Sequence, residues 1–149
     1  VAVLSVETSI AAPPEVCFDL ARDVEFHAES LAHTGERVLR RPERRLLVLG
    51  DDVEFQGRHF GIRFRLSARI TAFDPPVYFR DEMTRGPFKT FAHEHCFAPS
   101  PEGTIMRDVL RFEAPLGLLG RLAERFLLQS HLEAILRRRA QALRQAAER

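Results

Sequence analysis

Tryptophan is absent from these 149 residues, tyrosine and lysine occur once each, and there are only two cysteines. Cys17 and Cys96 lie far apart and show no metal-ligand spacing. Two isolated thiols fit a reducing compartment better than a disulfide framework, so the cytoplasm is the expected location. No apolar run approaches the ~20 residues of a membrane-spanning helix, and the N-terminus lacks a basic-then-apolar leader pattern, so stable membrane insertion is not expected. The formal net charge of +1 supplies no strong overall field for nucleic acid. Walker, Rossmann, nucleophile-elbow and CxxC patterns are missing, and Gly57, Gly61 and Gly86 are spaced for turns rather than for a phosphate cradle. Neither a cofactor nor a resident metal is expected.

What is present is phenylalanine, twelve of them, in a chain that is 45% hydrophobic and 29% charged. That balance suits one globular domain, residues 1–149, with a core of ordinary size. Residues 2–10 read as a strand. Pro13 and Pro14 suit the first turn of a helix, with Val16, Cys17, Leu20 and Ala21 on one face. A second short helix is expected over Val24 to Leu31. Residues 32–50 are less patterned: arginines at 37, 40, 41, 44 and 45 surround Pro42 in what reads as a strand and an exposed turn.

From residue 53 onward the chain alternates. Val53, Phe55, Gly57 and His59 take one side, and after a Phe60-Gly61 turn Ile62, Phe64, Leu66, Ala68 and Ile70 do the same. Period-two alternation marks a sheet with one wet and one covered face. Asp74-Pro75-Pro76, Arg85-Gly86-Pro87 and Pro99 to Gly103 punctuate three further strands, so consecutive antiparallel hairpins are expected. Leu116 to Arg149 reads as helix. Its apolar stripe drifts from Leu119, Leu122, Phe126 to Leu132, Leu136, Ala140, Leu143, which implies a break near Gln129 or a change of neighbours along the helix.

Keeping apolar residues together fixes trial registers. Phe55 then faces Leu66, Leu66 faces Asp81, Phe64 faces Met83, Met83 faces Phe91, Asp81 faces His93, Phe79 faces His95, His95 faces Asp108, His93 faces Leu110 and Phe91 faces Phe112. His59, Asp81, His93, His95 and Asp108 thus share the covered face with phenylalanines. Buried carboxylates without partners cost several kcal/mol each, so Asp81 is expected to pair with His93 and Asp108 with His95. Such pairs are candidate acid-base groups; they are equally what a structural hydrogen-bonded pair looks like. The His-x-His spacing places both imidazoles on one side, but a metal would need further ligands such as Asp108 or His59. The expected ligand-binding set is Phe55, His59, Phe64, Leu66, Phe79, Met83, Phe91, Phe97, Leu110, Phe112 and Phe126.

The order strand, two short helices, antiparallel strands, long C-terminal helix resembles the helix-grip fold of the START-like superfamily. Locally the carrying segments are Arg58 to Ile62, Asp81-Glu82-Met83, Arg85-Gly86-Pro87-Phe88, His93-Glu94-His95 and Ala114-Pro115-Leu116-Gly117, which resemble a bacterial branch of it. The resemblance implies an α+β domain in which a curved sheet of six or seven strands grips the terminal helix around a cavity. It implies a small apolar ligand (lipid, aromatic or polyketide-like) carried or sensed, with a cyclase, dehydratase or hydrolase using a His-Asp pair as the alternative. An arginine-rich contact through residues 37–45 and a homodimer through an edge strand or the helix are further readings that the residues leave open.

Overall fold

The computed structural model describes residues 1–149. Its elements follow the alternation read above: β1 Ala2–Ile10, α1 Pro14–Ala21, α2 Val24–Ser30, β2 Arg37–Arg40, β3 Asp52–His59, β4 Ile62–Asp74, β5 Tyr78–Arg85, β6 Thr90–Ser100, β7 Gly103–Glu113, α3 Gly117–Ala123 and α4 Gln129–Ala147. A single 3-10 turn covers Ala32–Thr34 and a π-helical turn covers Glu124–Leu128. All seven strands form one antiparallel sheet in the order β1-β7-β6-β5-β4-β3-β2. No helix is long and apolar enough to cross a membrane.

Local chemistry explains several boundaries. Pro14 opens α1 where its missing N–H costs nothing, and the Asp23 carboxylate caps α2 by accepting from the Glu25 and Phe26 amides. The β3–β4 turn has positive φ at both Phe60 (54°) and Gly61 (75°), the pattern of a primed hairpin turn. Glycine adopts it freely. A phenylalanine there is held against its preference, and its half-exposed ring lies 4.4 Å from that of His131.

The registers follow the reading at three of four hairpins. Phe55 faces Leu66, Asp81 faces His93, Phe79 faces His95, His95 faces Asp108 and Phe91 faces Phe112. The β4–β5 register is different. Ile70, not Leu66, faces Asp81, and Ala68, not Phe64, faces Met83. The hairpin closes tightly at Asp74 and Tyr78, and register shifts between Ser67 and Ala68 and between Ile70 and Ala72 take up the remainder. Since the slip is four residues, an even number, every side chain keeps its face. What changes is position: Phe64 and Leu66 extend past the paired part of β5. The expected Met83–Phe91 pair is also absent, because the β5–β6 ladder stops at Glu82 and Ala92.

The helical C-terminus breaks where its stripe drifts. The π turn inserts extra backbone just ahead of Gln129, rotating the faces before and after it relative to one another. Leu119, Leu122 and Phe126 consequently point into solvent, whereas Leu136, Ala140 and Leu143 are buried in the core. The Glu124 carboxylate accepts the Ala114 amide at 2.9 Å inside this turn, tying the start of the helix to the end of β7. Along α4 the environment splits. Its C-terminal half packs solidly on β1 and α1, with Phe18 against Phe73, Phe79 and Phe97. Its N-terminal half roofs a hollow.

Candidate functional site

That hollow has a volume of about 380 Å³ and lies between the concave sheet, α2 and the first half of α4. A close-packed interior has few voids even the size of water, so a space this large is a built feature and falls in the range of small-molecule sites. Most of the wall is apolar: Val53, Phe55, Phe64, Leu66, Ala68 and Ile70 from β3 and β4, Phe79, Phe91 and Leu110 from the next strands, Leu128 from the end of the π turn, and Leu132, Ile135 and Leu136 from α4. Phe60, Pro115 and Leu127 stand at its rim. The helical spacing of the α4 set is the i, i+3, i+4 pattern that delivers one face.

Of the residues expected to bind ligand, Phe55, His59, Phe64, Leu66, Phe79, Phe91 and Leu110 line this space, and Met83, Phe97, Phe112 and Phe126 do not. Phe97 belongs to the solid aromatic end, its ring 5.6 Å from that of Phe18. Phe112 is fully buried behind Phe88. Met83 folds over Gly86, where its sulfur fills the space a Cβ would take. Phe126 is 72% exposed because the π turn carries it off the covered face.

The four predicted acid-base residues form one buried cluster, with partners exchanged relative to the reading. His93 Nε2 lies 2.9 Å from Asp108 Oδ1, and His95 Nε2 lies 2.7 Å from Asp81 Oδ2. These are diagonal rather than directly opposed pairs. Imidazole is long enough to reach a diagonal neighbour, and the two rings stack at 3.8 Å as they do so. His95 Nδ1 also approaches Asp108 Oδ1, at 3.5 Å. Asp81, His93 and His95 reach the cavity wall; Asp108 sits behind them.

Burial alone would raise both carboxyl groups, but hydrogen bonds and charge from the imidazoles outweigh it. Asp81 falls to about 2, and Asp108 falls far below the usual carboxylate range. Burial likewise disfavours a charged His95, yet its two carboxylate contacts win and its pKa rises. His93 goes the other way, because burial and the neighbouring His95 together exceed the pull of Asp108. Asp81, His93 and His95 each offer a ligand atom within 4.8 Å of the others, the spacing of a metal site. Both Nε2 atoms are, however, already engaged by carboxylates.

Sequence reasoning missed a second polar group across the cavity. His27, from α2, stacks on Phe55 at 4.3 Å; Glu36, just before β2, lies over Gly57; and Arg139 enters from α4. Gly57 has a reason to be glycine, since a Cβ there would come within 2.8 Å of Glu36 Oε2. His59 and His131 add a third pair, Nδ1 to Nε2 at 2.9 Å, near the mouth. Arg139 stands in a run of three arginines, Arg137–Arg139, yet it is buried and its Nη2 donates to Ala21 O at 3.1 Å. The one available signal was its i, i+3 spacing from Leu136 on the buried stripe.

The arginine-rich segment resolves differently. Arg44 pairs with Asp51 at 2.7 Å, Arg45 with Asp23 at 2.6 Å and Arg41 with Glu25 at 3.6 Å. These contacts tie Arg41, Arg44 and Arg45 to carboxylates of their own domain.

A sheet folded around one helix over a closed-ended apolar hollow is an arrangement that comparison with known proteins can place. The family model described as polyketide cyclase / dehydrase and lipid transport matches residues 2–148. The chain belongs to that family. Among solved structures, an aromatase/cyclase from Streptomyces superposes with a TM-score of 0.80 at 16% identity, covering 99% of this chain and 94% of that one. A Thermus thermophilus protein gives 0.71 at 21% identity, covering 98% and 99%. A major latex-like protein from Panax ginseng gives 0.71 at 14% identity, covering 98% and 97%. At these identities the likeness establishes the helix-grip fold and nothing finer. No curated protein matches the chain in sequence.

Proposed function

We propose that this protein binds a small, mostly apolar molecule in the cavity under α4 and acts as a carrier or sensor for it. The supporting observation is the hollow of about 380 Å³ with its phenylalanine- and leucine-rich wall, open at a rim formed by Phe60, Pro115 and Leu127. The family description, which joins cyclase and lipid-transport members, agrees with a ligand site there. Acid-base catalysis by the His-Asp cluster is the weaker reading. Each Nε2 is held by a carboxylate, and the His95 side chain is only 2% exposed.

Leu66 is half-buried on the cavity wall, so Leu66→Trp places a bulky indole in the space a ligand needs. Calorimetric titration with 2-ethylnaphthalene is expected to show binding by the native protein. The variant should bind at least about tenfold more weakly, a change of ~1.4 kcal/mol, with its melting temperature little altered. Absence of any binding by the native protein, together with native mass spectra free of a co-purified small molecule, would refute the carrier reading.

A further inference from the structure

Arg139 is 6% exposed, lines the cavity, and its Nε–H has no partner. A buried guanidinium with an idle donor is costly, and native proteins keep few such groups. Only Nη2 of the same guanidinium is engaged, by Ala21 O, and His27 Nδ1, the other idle buried atom of this group, lies 3.7 Å from Glu36 Oε1, too far for a hydrogen bond. Three polar groups therefore converge from α2, the β2 approach and α4 without closing on one another. The geometry points to a subsite for a ligand oxygen: the cavity takes an apolar body bearing a carbonyl or carboxylate, received by the Arg139 guanidinium where it lines the wall, with His27 and Glu36 on the same wall. This rests on the ligand-binding reading above and names the chemistry that the ligand must carry. The Glu36 carboxyl, which burial lifts to about 7, is far less fully charged near neutrality than an ordinary carboxylate and opposes a ligand oxygen correspondingly less.

Calorimetry with three matched probes tests the subsite. Native protein is expected to bind 2-acetylnaphthalene or 2-naphthoate at least about tenfold more tightly than 2-ethylnaphthalene, and the better of the two oxygenated probes tells a neutral carbonyl from a carboxylate. In Arg139→Met this advantage should largely vanish while 2-ethylnaphthalene binding persists. Arg139 also holds Ala21 O, so nitrogen-detected NMR of the native protein provides a readout free of any variant. The Arg139 Nε–H resonance should shift with the oxygenated probes and stay still with the hydrocarbon. Equal affinity for all three probes overturns the subsite but leaves the cavity reading standing; failure of all three to bind overturns both.

A different observation concerns the outside of the mouth. Leu116, Leu118, Leu119, Leu122, Phe126 and Leu127 are all exposed along the stretch from the start of α3 through the π turn, and Phe60 and Ile62 are exposed on the β3–β4 hairpin tip. Scattered apolar residues are ordinary on a surface, but a contiguous rim of eight around an opening marks a contact site. Arg58, Arg63, Arg65, Arg85, Arg121 and Arg125 are exposed at the same end, and none makes an ion pair. We infer that this rim docks on an anionic lipid surface, leucines in the acyl boundary and arginines on the headgroups. A symmetric dimer would set the same patch against itself and bring like charges together.

Co-sedimentation with phosphatidylglycerol-containing vesicles is expected, with little on phosphatidylcholine alone and release by salt. Leu119→Asp combined with Phe126→Asp changes only exposed positions and should weaken vesicle binding by about tenfold or more while leaving 2-ethylnaphthalene binding intact. Equal binding by the variant, no vesicle binding, or a light-scattering dimer that the same changes dissociate would each overturn the docking surface.

Discussion

Replacing Asp108 with alanine is expected to destabilise the fold by about 3–5 kcal/mol, the largest loss available from any single side chain in the cluster. Asp108 is 3% exposed, accepts from His93 Nε2 and stands 3.5 Å from His95 Nδ1. Its removal strands one imidazole N–H without an acceptor and deprives the charged form of His95 of a counter-ion. Urea titration at pH 6 measures the loss directly, and Asp108→Asn, which keeps an acceptor oxygen, should recover part of it. If Asp108→Ala leaves the midpoint nearly unchanged, the cluster is not structural, and an acid-base role becomes the better account.

The pH dependence gives the same claim a sign. Asp81 and Asp108 have folded pKa values below their unfolded ones, so their contribution is complete above ~4 and fades as pH falls toward about 2. His95 is raised, so its part is complete below ~6.5 and fades as pH climbs through the folded value. The two aspartates and His95 therefore contribute most between roughly pH 4 and 6.5, with the lowered His93 subtracting as pH falls below ~6.5, and the Asp108→Ala penalty should be largest in that interval.

How much of this could be read beforehand depends on which periodicity carried it. The β3–β7 alternation was long enough to assign faces, and face assignment survives an even register error; Asp81 therefore reached the cavity although its partner strand had slipped four residues. Pairing within the cluster was not legible, since a ladder fixes which Cα atoms face one another and not which diagonal a long ring takes. Phe97 and Phe112 carry the same pattern as Phe79 and Phe91; only the packing of α1 on Phe97 and of Phe88 on Phe112, toward opposite ends of the β6–β7 ladder, keeps them out of the hollow. Phe126 was misplaced because a π turn moves a stripe without altering the residue types in it. Glu36, His27 and Arg139 were hidden for a different reason. They come from short or irregular segments and meet only through the tertiary fold.

Glu36→Gln is expected to remove a pH-dependent cost that the native protein carries. The Glu36 side chain is 7% exposed, and burial raises it to about 7 against the opposing influences of Arg139 and Thr34. A carboxyl whose folded pKa is raised is stabilising below its unfolded value and loses that contribution as pH rises to the folded one. From pH 5 to 8 the unfolded chain releases the proton while the native state retains it for most of the interval. Stability should fall by about 2–3 kcal/mol from this group alone, at ~1.4 kcal/mol per unit. Glutamine has the same shape and nothing to titrate. Urea midpoints of native and variant protein should therefore lie close at pH 5 and separate in the variant's favour at pH 8, whereas parallel curves would mean that Glu36 is solvated and no strained carboxyl faces the cavity. A carboxyl that weakens its own fold near neutrality, on the same cavity wall as Arg139 and His27, is consistent with the oxygen subsite proposed above.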